Sequence, residues 1–249
     1  MMRVKAGIFS LTPPAGPDDD GSYLRWHLLD HQPEQYQLPG IAYALRWIAD
    51  GDYLTSRIAS AGHLTEVGNV VNYLVSDPVE QTAEDFLRLG AQLAEVGRFP
   101  EVRPSLQLRL LGLQQAYAAP GALISPDIVP FRPHRGVVVI VEEPVVDDHS
   151  DWLQWLHTTH YPELMEVPGV AGAWMFGATS TWKLGPNFGT SPQSITVVYL
   201  DEDPLATTSA LTPLIEKRWA SGQVRPLFAG PLRTMIDWEA WPRSTDARG

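Results

Sequence analysis

The sequence predicts an α+β fold of two consecutive βαββαβ halves, and three observations lead there. The first is an internal repeat. Trp26, His31, Pro33, Glu34, Pro39 and Gly40 return as Trp155, His160, Pro162, Glu163, Pro168 and Gly169, each pair 129 residues apart. Six matches at one spacing, Trp and His among them, mark a duplicated unit. The second is the order of hydrophobic patterns, which is the same around each copy. The third is size: 249 residues give each copy the length of one small domain. The expected division is residues 1–117 and 136–249, joined by a linker at 118–135.

The elements follow in order. Residues 4–10 and 137–142 read as first strands, because Val137-Val138-Val139-Ile140-Val141 is short and β-branched. Residues 22–37 and 150–166 read as helices. Tyr23 and Trp26 in one copy, and Trp152, Trp155 and Leu156 in the other, recur at helical spacing. Pro39 and Pro168 end these helices, and Gly40 and Gly169 turn the chain into second strands at 41–48 and 170–176. Loops rich in Gly, Ser and Thr span 50–68 and 178–193. Third strands follow at 70–75 and 196–200, where Tyr73 and Tyr199, 126 residues apart, read as matched. Each is followed by an acidic-Pro step, Asp77-Pro78 and Asp203-Pro204.

Second helices are expected at 80–96 and 205–220, and last strands at 106–113 and 232–236. Val102-Arg103-Pro104 and Val224-Arg225-Pro226 precede those strands. The five prolines and glycines within 118–135 suit a linker. This order is that of the ferredoxin-like unit. Its helices cover one face of its sheet, and the other face must be buried by something. Two halves packed sheet to sheet satisfy both, and pseudo-twofold closure leaves a cavity between sheets and helices.

Composition excludes several function classes. Net charge is −11 with no basic cluster, so no nucleic-acid partner is expected. There is no Cys, which removes disulfides, thiolate metal sites and a Cys nucleophile. The basic, then apolar start breaks at Pro13-Pro14 and runs into Asp18-Asp19-Asp20, unlike a signal peptide. No stretch approaches the ~20 apolar residues of a membrane span. The expectation is a cytoplasmic protein without a membrane partner. Neither a Gly-rich phosphate loop nor a Ser nucleophile elbow is present, so nucleotide cofactors and Ser-hydrolase chemistry are disfavoured.

His31 and His160 are the histidines at equivalent repeat positions. An imidazole there can act as a general base near neutral pH, or serve the helix end by bonding its carbonyls. His27 with His31 (i, i+4) and His157 with His160 (i, i+3) each share a helix face. Asp30 or Glu163 could complete a metal site with such a pair, but no further ligand-rich segment exists and no metal is expected. Glu34 and Glu163 could orient an imidazole and raise its basicity, or lie in an exposed turn. Tyr73 and Tyr199 could donate to a carbonyl or enolate oxygen, or pack as aromatic core. Trp47, Trp174, Phe176 and Trp182, with His27 and His157, suit the lining of a site for a flat apolar ligand. The loop 179–191 reads as its lid.

His157-x-x-His160-Tyr161-Pro162-Glu163 before Val167-Pro168-Gly169-Val170, and Asp30-His31-x-Pro33-Glu34 before Leu38-Pro39-Gly40-Ile41, resemble the EthD-like branch of the dimeric α/β-barrel superfamily, here as a fused tandem repeat. The motifs cover a minor part of the chain, the element order nearly all of it. Such proteins are usually single domains that dimerise, so the resemblance implies a pseudo-dimeric α/β barrel, monomeric or a homodimer of it. The superfamily includes polyketide cyclases, muconolactone-type isomerases and oxygenases without cofactor, and haem-binding peroxidases and dehydratases. The implied function is a cofactor-free enzyme acting by proton transfer on a hydrophobic aromatic, polyketide-like or steroid-like molecule, as a cyclase, dehydratase, isomerase or oxygenase. His160, with Glu163 nearby, would take a proton α to a carbonyl, and Tyr199 or Tyr73 would stabilise the enolate. A haem enzyme with an axial histidine and a non-catalytic small-molecule-binding protein are the alternatives.

Overall fold

The computed structural model describes residues 3–14, 21–99, 105–146, 150–182, 185–189 and 191–235. In the first half, β1 (Val4–Thr12) leads to the helix α1 (22–35), β2 (Ile41–Ile48), a two-residue strand β3 (Ala59–Ser60), β4 (Asn69–Ser76), α2 (Val79–Glu95) and β5 (Gln107–Ala118). The second half runs β6 (Gly136–Pro144), α3 (150–165), β7 (Val170–Gly177), β8 (Ser194–Leu200), α4 (Pro204–Ala220) and β9 (Val224–Thr234). Setting β3 aside, the strand order is β2-β4-β1-β5 in one half and β7-β8-β6-β9 in the other. Both are the ferredoxin-like order, strands 2-3-1-4 of each βαββαβ unit. β5 pairs with β7, and β9 returns to β2 through Trp47–Thr234 and Ile48–Arg233. The sheet is therefore a closed, antiparallel, eight-stranded barrel with helices outside, and closure leaves its main strands without a free edge.

The barrel is filled. Phe9, Leu11, Trp47, Trp174, Phe176, Tyr199 and Phe228 meet inside it with no solvent exposure. Strand alternation decides this: along β2 and β7, Leu45, Trp47, Trp174 and Phe176 point inward, and Ala44, Arg46, Ala173 and Met175 point to the helices. Trp47, Trp174 and Phe176 are thus barrel core, in place of the expected lining between sheet and helices.

The duplicated motif departs from a plain helix in the same way in both halves. α1 consists of Ser22–Trp26, a π-helical turn His27–His31 and Gln32–Gln35; α3 of Ser150–Trp155, a π turn Leu156–His160 and Tyr161–Met165. Pro33 and Pro162 follow each π turn. A proline within a helix lacks an N–H and crowds the carbonyl four residues earlier, which here is Leu29 or Thr158, inside the widened turn. The turn also explains the repeated Trp-x-x-x-x-His spacing. Trp26 stacks on His31 (centroids 5.0 Å apart) and Trp155 on His160 (5.4 Å). The repeated glycine admits a neighbouring helix: a Cβ on Gly40 would lie 1.9 Å from Thr82 Oγ1, and one on Gly169 (φ +89°) 2.7 Å from Thr207 Oγ1.

Three expectations change. Ala44 pairs with Tyr73, but Ala173 pairs with Val198. β4 and β8 therefore correspond at a separation of 125 (198 minus 73), not 126, and a one-residue slip reverses the face of every side chain. Tyr73 faces the helices and Tyr199 the barrel interior. The last strand starts at Val224 instead of 232, because Pro226 sits where the β6–β9 register shifts and so leaves the ladder intact. The segment 50–68 is not simply loop, since β3 adds to β9. Val102-Arg103-Pro104 and Asp18-Asp19-Asp20 lie outside the described residues. Among those described, no helix is long and apolar enough to cross a membrane.

Candidate active site

The registers make the halves comparable position by position. Sequence separation is 129 along α1/α3 and β2/β7, and 125 along β4/β8 and the 17-residue helices α2 and α4. Between sheet and helices the two halves then differ sharply.

In the first half a cavity of about 240 Å³ opens between α1, α2 and the outward face of the sheet. His27 and His31 from the π turn reach it, as do Tyr73 from β4, Arg46 from β2, Ser10 and Thr12 from β1, and an aromatic wall of Trp26, Phe86 and Phe99. His31 packs between Trp26 and Phe99, whose ring lies 4.9 Å away, and His27 is 5.3 Å from it. Burial pushes the His31 pKa down; Asp30 and Glu34 oppose this and Arg46 adds to it. Burial, then Arg46 and His31, hold His27 well below the usual imidazole value. Both rings are therefore neutral near pH 7 and available as bases. Burial raises the Tyr73 phenol, which keeps its proton and can only donate or accept hydrogen bonds. Tyr73 packs edge-on against Phe86 at 5.0 Å. The Arg46 guanidinium holds Asn69 Oδ1 (3.2 Å) and lies over the Tyr23 ring.

Around His160 the equivalent space in the second half is occupied; cavities of about 460 Å³ by Trp152, Trp155 and Lys217 and about 150 Å³ by Trp152 and Met175 reach neither His157 nor His160. Leu156 stands for His27, Met175 for Arg46 and Val198 for Tyr73, all buried. Arg218 of α4 enters from the helix side, fully buried, and forms an ion pair with Glu142. Its guanidinium also lies over Trp152 and Tyr161, and Trp219 Nε1 donates to Glu142 Oε1 (2.6 Å). His160 has no exposed surface, and neither ring nitrogen has a hydrogen-bond partner among the described residues. Burial, then Arg218 and Lys217, push its pKa down to about 3. His157 is engaged: its Nδ1 lies 2.5 Å from Tyr117 Oη.

The expected carboxylates point elsewhere. Glu163 binds Lys217 Nζ at 3.0 Å, and Glu34 and Asp30 both bind Arg98 on the surface. Tyr199 sits in the barrel with its hydroxyl buried. Trp182 is half-buried and packs with Phe188 on the first half's outer face. No described residue of its loop lines the 240 Å³ cavity. Of the residues expected from sequence, the structure brings together His27, His31 and Tyr73, and not His160, Glu163, Tyr199 or His157. Arg46 was missed, although a charge between Leu45 and Trp47 in an otherwise apolar strand was a legible signal.

A second cavity, about 340 Å³, lies by Trp47, Tyr43, Phe131 and His134. Its imidazole is committed: Trp47 Nε1 donates to His134 Nε2 (2.8 Å), which leaves Nδ1–H to donate to the Arg132 carbonyl (3.1 Å). It has no nitrogen left for acid–base work. Among the described residues no group of three or more His, Asp or Glu could hold a metal ion.

No protein-family model matches the sequence, and no curated protein matches it. Solved structures do match. A protein proposed to be a chlorite dismutase has 12% identity over 94% of this chain and 95% of its own, with a TM-score of 0.57. An anthrone oxidase-like protein has 11% identity over 93% and 92%, TM-score 0.53. A haem-binding protein from Thermus thermophilus has 10% identity over 95% and 93%, TM-score 0.50. The fold is that of the dimeric α/β barrels. At this identity the likeness concerns the fold alone.

Some barrels of this kind hold haem, but the surroundings of His31 and His160 do not fit that group. The first-half cavity is smaller than the roughly 300–1,000 Å³ that drug-sized ligands fill, and a haem is larger than most of those. In the second half the His160 nitrogens are sealed beneath Trp155 and Tyr161.

The His160 environment predicts an acid-sensitive fold. Its folded pKa, about 3, lies below the unfolded value of about 6.5, so the unfolded chain binds the extra proton in between. Stability is therefore full above about pH 6.5 and falls as pH drops towards 3. His160→Leu is expected to flatten that fall, measured as the urea midpoint between pH 7 and pH 4. Parallel pH profiles for the variant and the wild type would contradict it.

Proposed function

We propose that the first-half cavity is the active site of a cofactor-free enzyme that moves a proton on a small hydrophobic molecule. One observation carries the reading: two halves with the same scaffold differ where the cavity lies. One half fills the space with Leu156, Met175, Val198 and an Arg218–Glu142 pair; the other opens it to His27, His31, Tyr73 and Arg46. Both halves have the Trp–His stack. Only the first half opens a cavity onto its histidine and adds His27, Tyr73 and Arg46 around it.

In this reading His31 is the base. It is the less deeply buried of the two cavity imidazoles, and its neutral ring can take a proton from a carbon next to a carbonyl or phenolic system. Tyr73, kept protonated by burial, donates to the oxygen on which the resulting charge gathers. His27 lies beside His31 and disfavours a second charge there. Cyclisation, isomerisation, dehydration and oxygen insertion into the carbanion all begin with this step. The test is exchange of substrate C–H for deuterium in D2O, followed by NMR over small aromatic ketones and phenols. The wild type and His160→Leu should exchange a substrate proton and His31→Ala should not. Equal exchange by His31→Ala defeats the reading. Binding without any exchange by the wild type would favour a non-catalytic binding protein.

A further inference from the structure

Gly90 lies in the middle of α2 and lines the first-half cavity. Glycine within a helix is destabilising relative to alanine, because it loses more backbone freedom on folding. Such a residue is usually explained by a neighbour that leaves no room for a side chain, as Thr82 does at Gly40. Gly90 has no such neighbour: no described atom lies within 4 Å of where its Cβ would be. The space beside it is the cavity. At the corresponding position of α4, 125 residues on, stands Ile215, which is fully buried in the second half's core. The same site on the same scaffold is open with glycine and closed with isoleucine.

We propose that Gly90 is the specificity-determining position of this site, and that the missing side chain makes room for an aromatic ligand of one or two rings. This rests on the first-half cavity being the binding site. Size sets the class: a cavity of about 240 Å³ is smaller than the roughly 300–1,000 Å³ of sites for drug-sized ligands. That accommodates a phenol or naphthol and not a four-ring polyketide or steroid skeleton. Wall chemistry sets the type. Trp26, Phe86 and Phe99 offer flat aromatic faces, and His31 and Tyr73 offer hydrogen bonds to a ring hydroxyl or carbonyl.

The test is calorimetric titration of wild type, Gly90→Ala and Gly90→Ile with phenol, naphthol and hydroxypyrene, with melting curves for each protein. Wild type is expected to bind naphthol at least tenfold more tightly than four-ring hydroxypyrene. Gly90→Ala should keep naphthol binding and melt higher. Gly90→Ile should lose at least tenfold in naphthol affinity while remaining folded. If Gly90→Ile does not fold, ring-size selectivity in the wild type and Gly90→Val decide. Unchanged naphthol affinity in Gly90→Ile, or in Gly90→Val in its place, overturns the proposal, as does equal binding of hydroxypyrene or failure of wild type to bind any probe. Wild type that binds the probes but exchanges no proton defeats the catalytic reading and leaves this one standing.

Discussion

Arg218→Ala is expected to lower the unfolding free energy by about 3–5 kcal/mol, the usual cost of removing one partner of a buried ion pair. Arg218 and Glu142 have no exposed side-chain surface. Truncating the arginine leaves a fully buried carboxylate with the Trp219 Nε1 hydrogen bond in place of its ion pair. The first half shows how the site can do without the pair. By the pairings of β1 with β4 and β6 with β8, Thr12 corresponds to Glu142, and Leu93 of α2 corresponds to Arg218. The double variant Arg218→Leu/Glu142→Thr is therefore expected to recover more than half of the loss, because both charges leave together. Urea unfolding of the single and double variants measures this. A loss below about 1 kcal/mol for Arg218→Ala would place the pair among solvated bridges, which contribute little.

His31→Ala is expected to slow proton exchange by about 10²–10⁴-fold, the range a positioned general base supplies. Its melting temperature should move little by comparison, because His31 is only partly buried and its ring rests on Trp26 and Phe99. His160 gives the control. It occupies the same place in the repeat and makes the same stack, so substituting it removes the shared structural part without touching the cavity. If the two variants lose the same activity, the effect belongs to the scaffold and not to acid–base chemistry.

How much of this was legible in the sequence depends on what each residue's signal is made of. The βαββαβ order was legible because β-branched runs and the 129-residue repeat are local patterns. The π turns were hidden: Trp-x-x-x-x-His and a proline two residues further suggest a helix end, and only i, i+5 stacking reveals the wider turn. Tyr73 and Tyr199 misled because matching residue type outweighed register. One residue of slip sends a side chain from the helix layer into the barrel. His160, with Glu163 nearby, reads as the base from sequence, yet the structure encloses it completely while the equivalent His31 faces a cavity. The site appears where the halves disagree, at His27, Arg46, Tyr73 and Gly90. Those disagreements could be recognised only once strand pairing had aligned the copies. Trp47, Trp174 and Phe176 lie on the second strands, where alternation turns them into the barrel and away from the helix layer.

The most direct test of the central claim, that ligand and chemistry belong to the first half, is NMR of the imidazole side chains during titration with naphthol. The His27 and His31 signals are expected to shift, saturating with one ligand per chain, and the His160 signal to stay where it is. A shift confined to His160 or His157 would contradict the account and move the site to the second half.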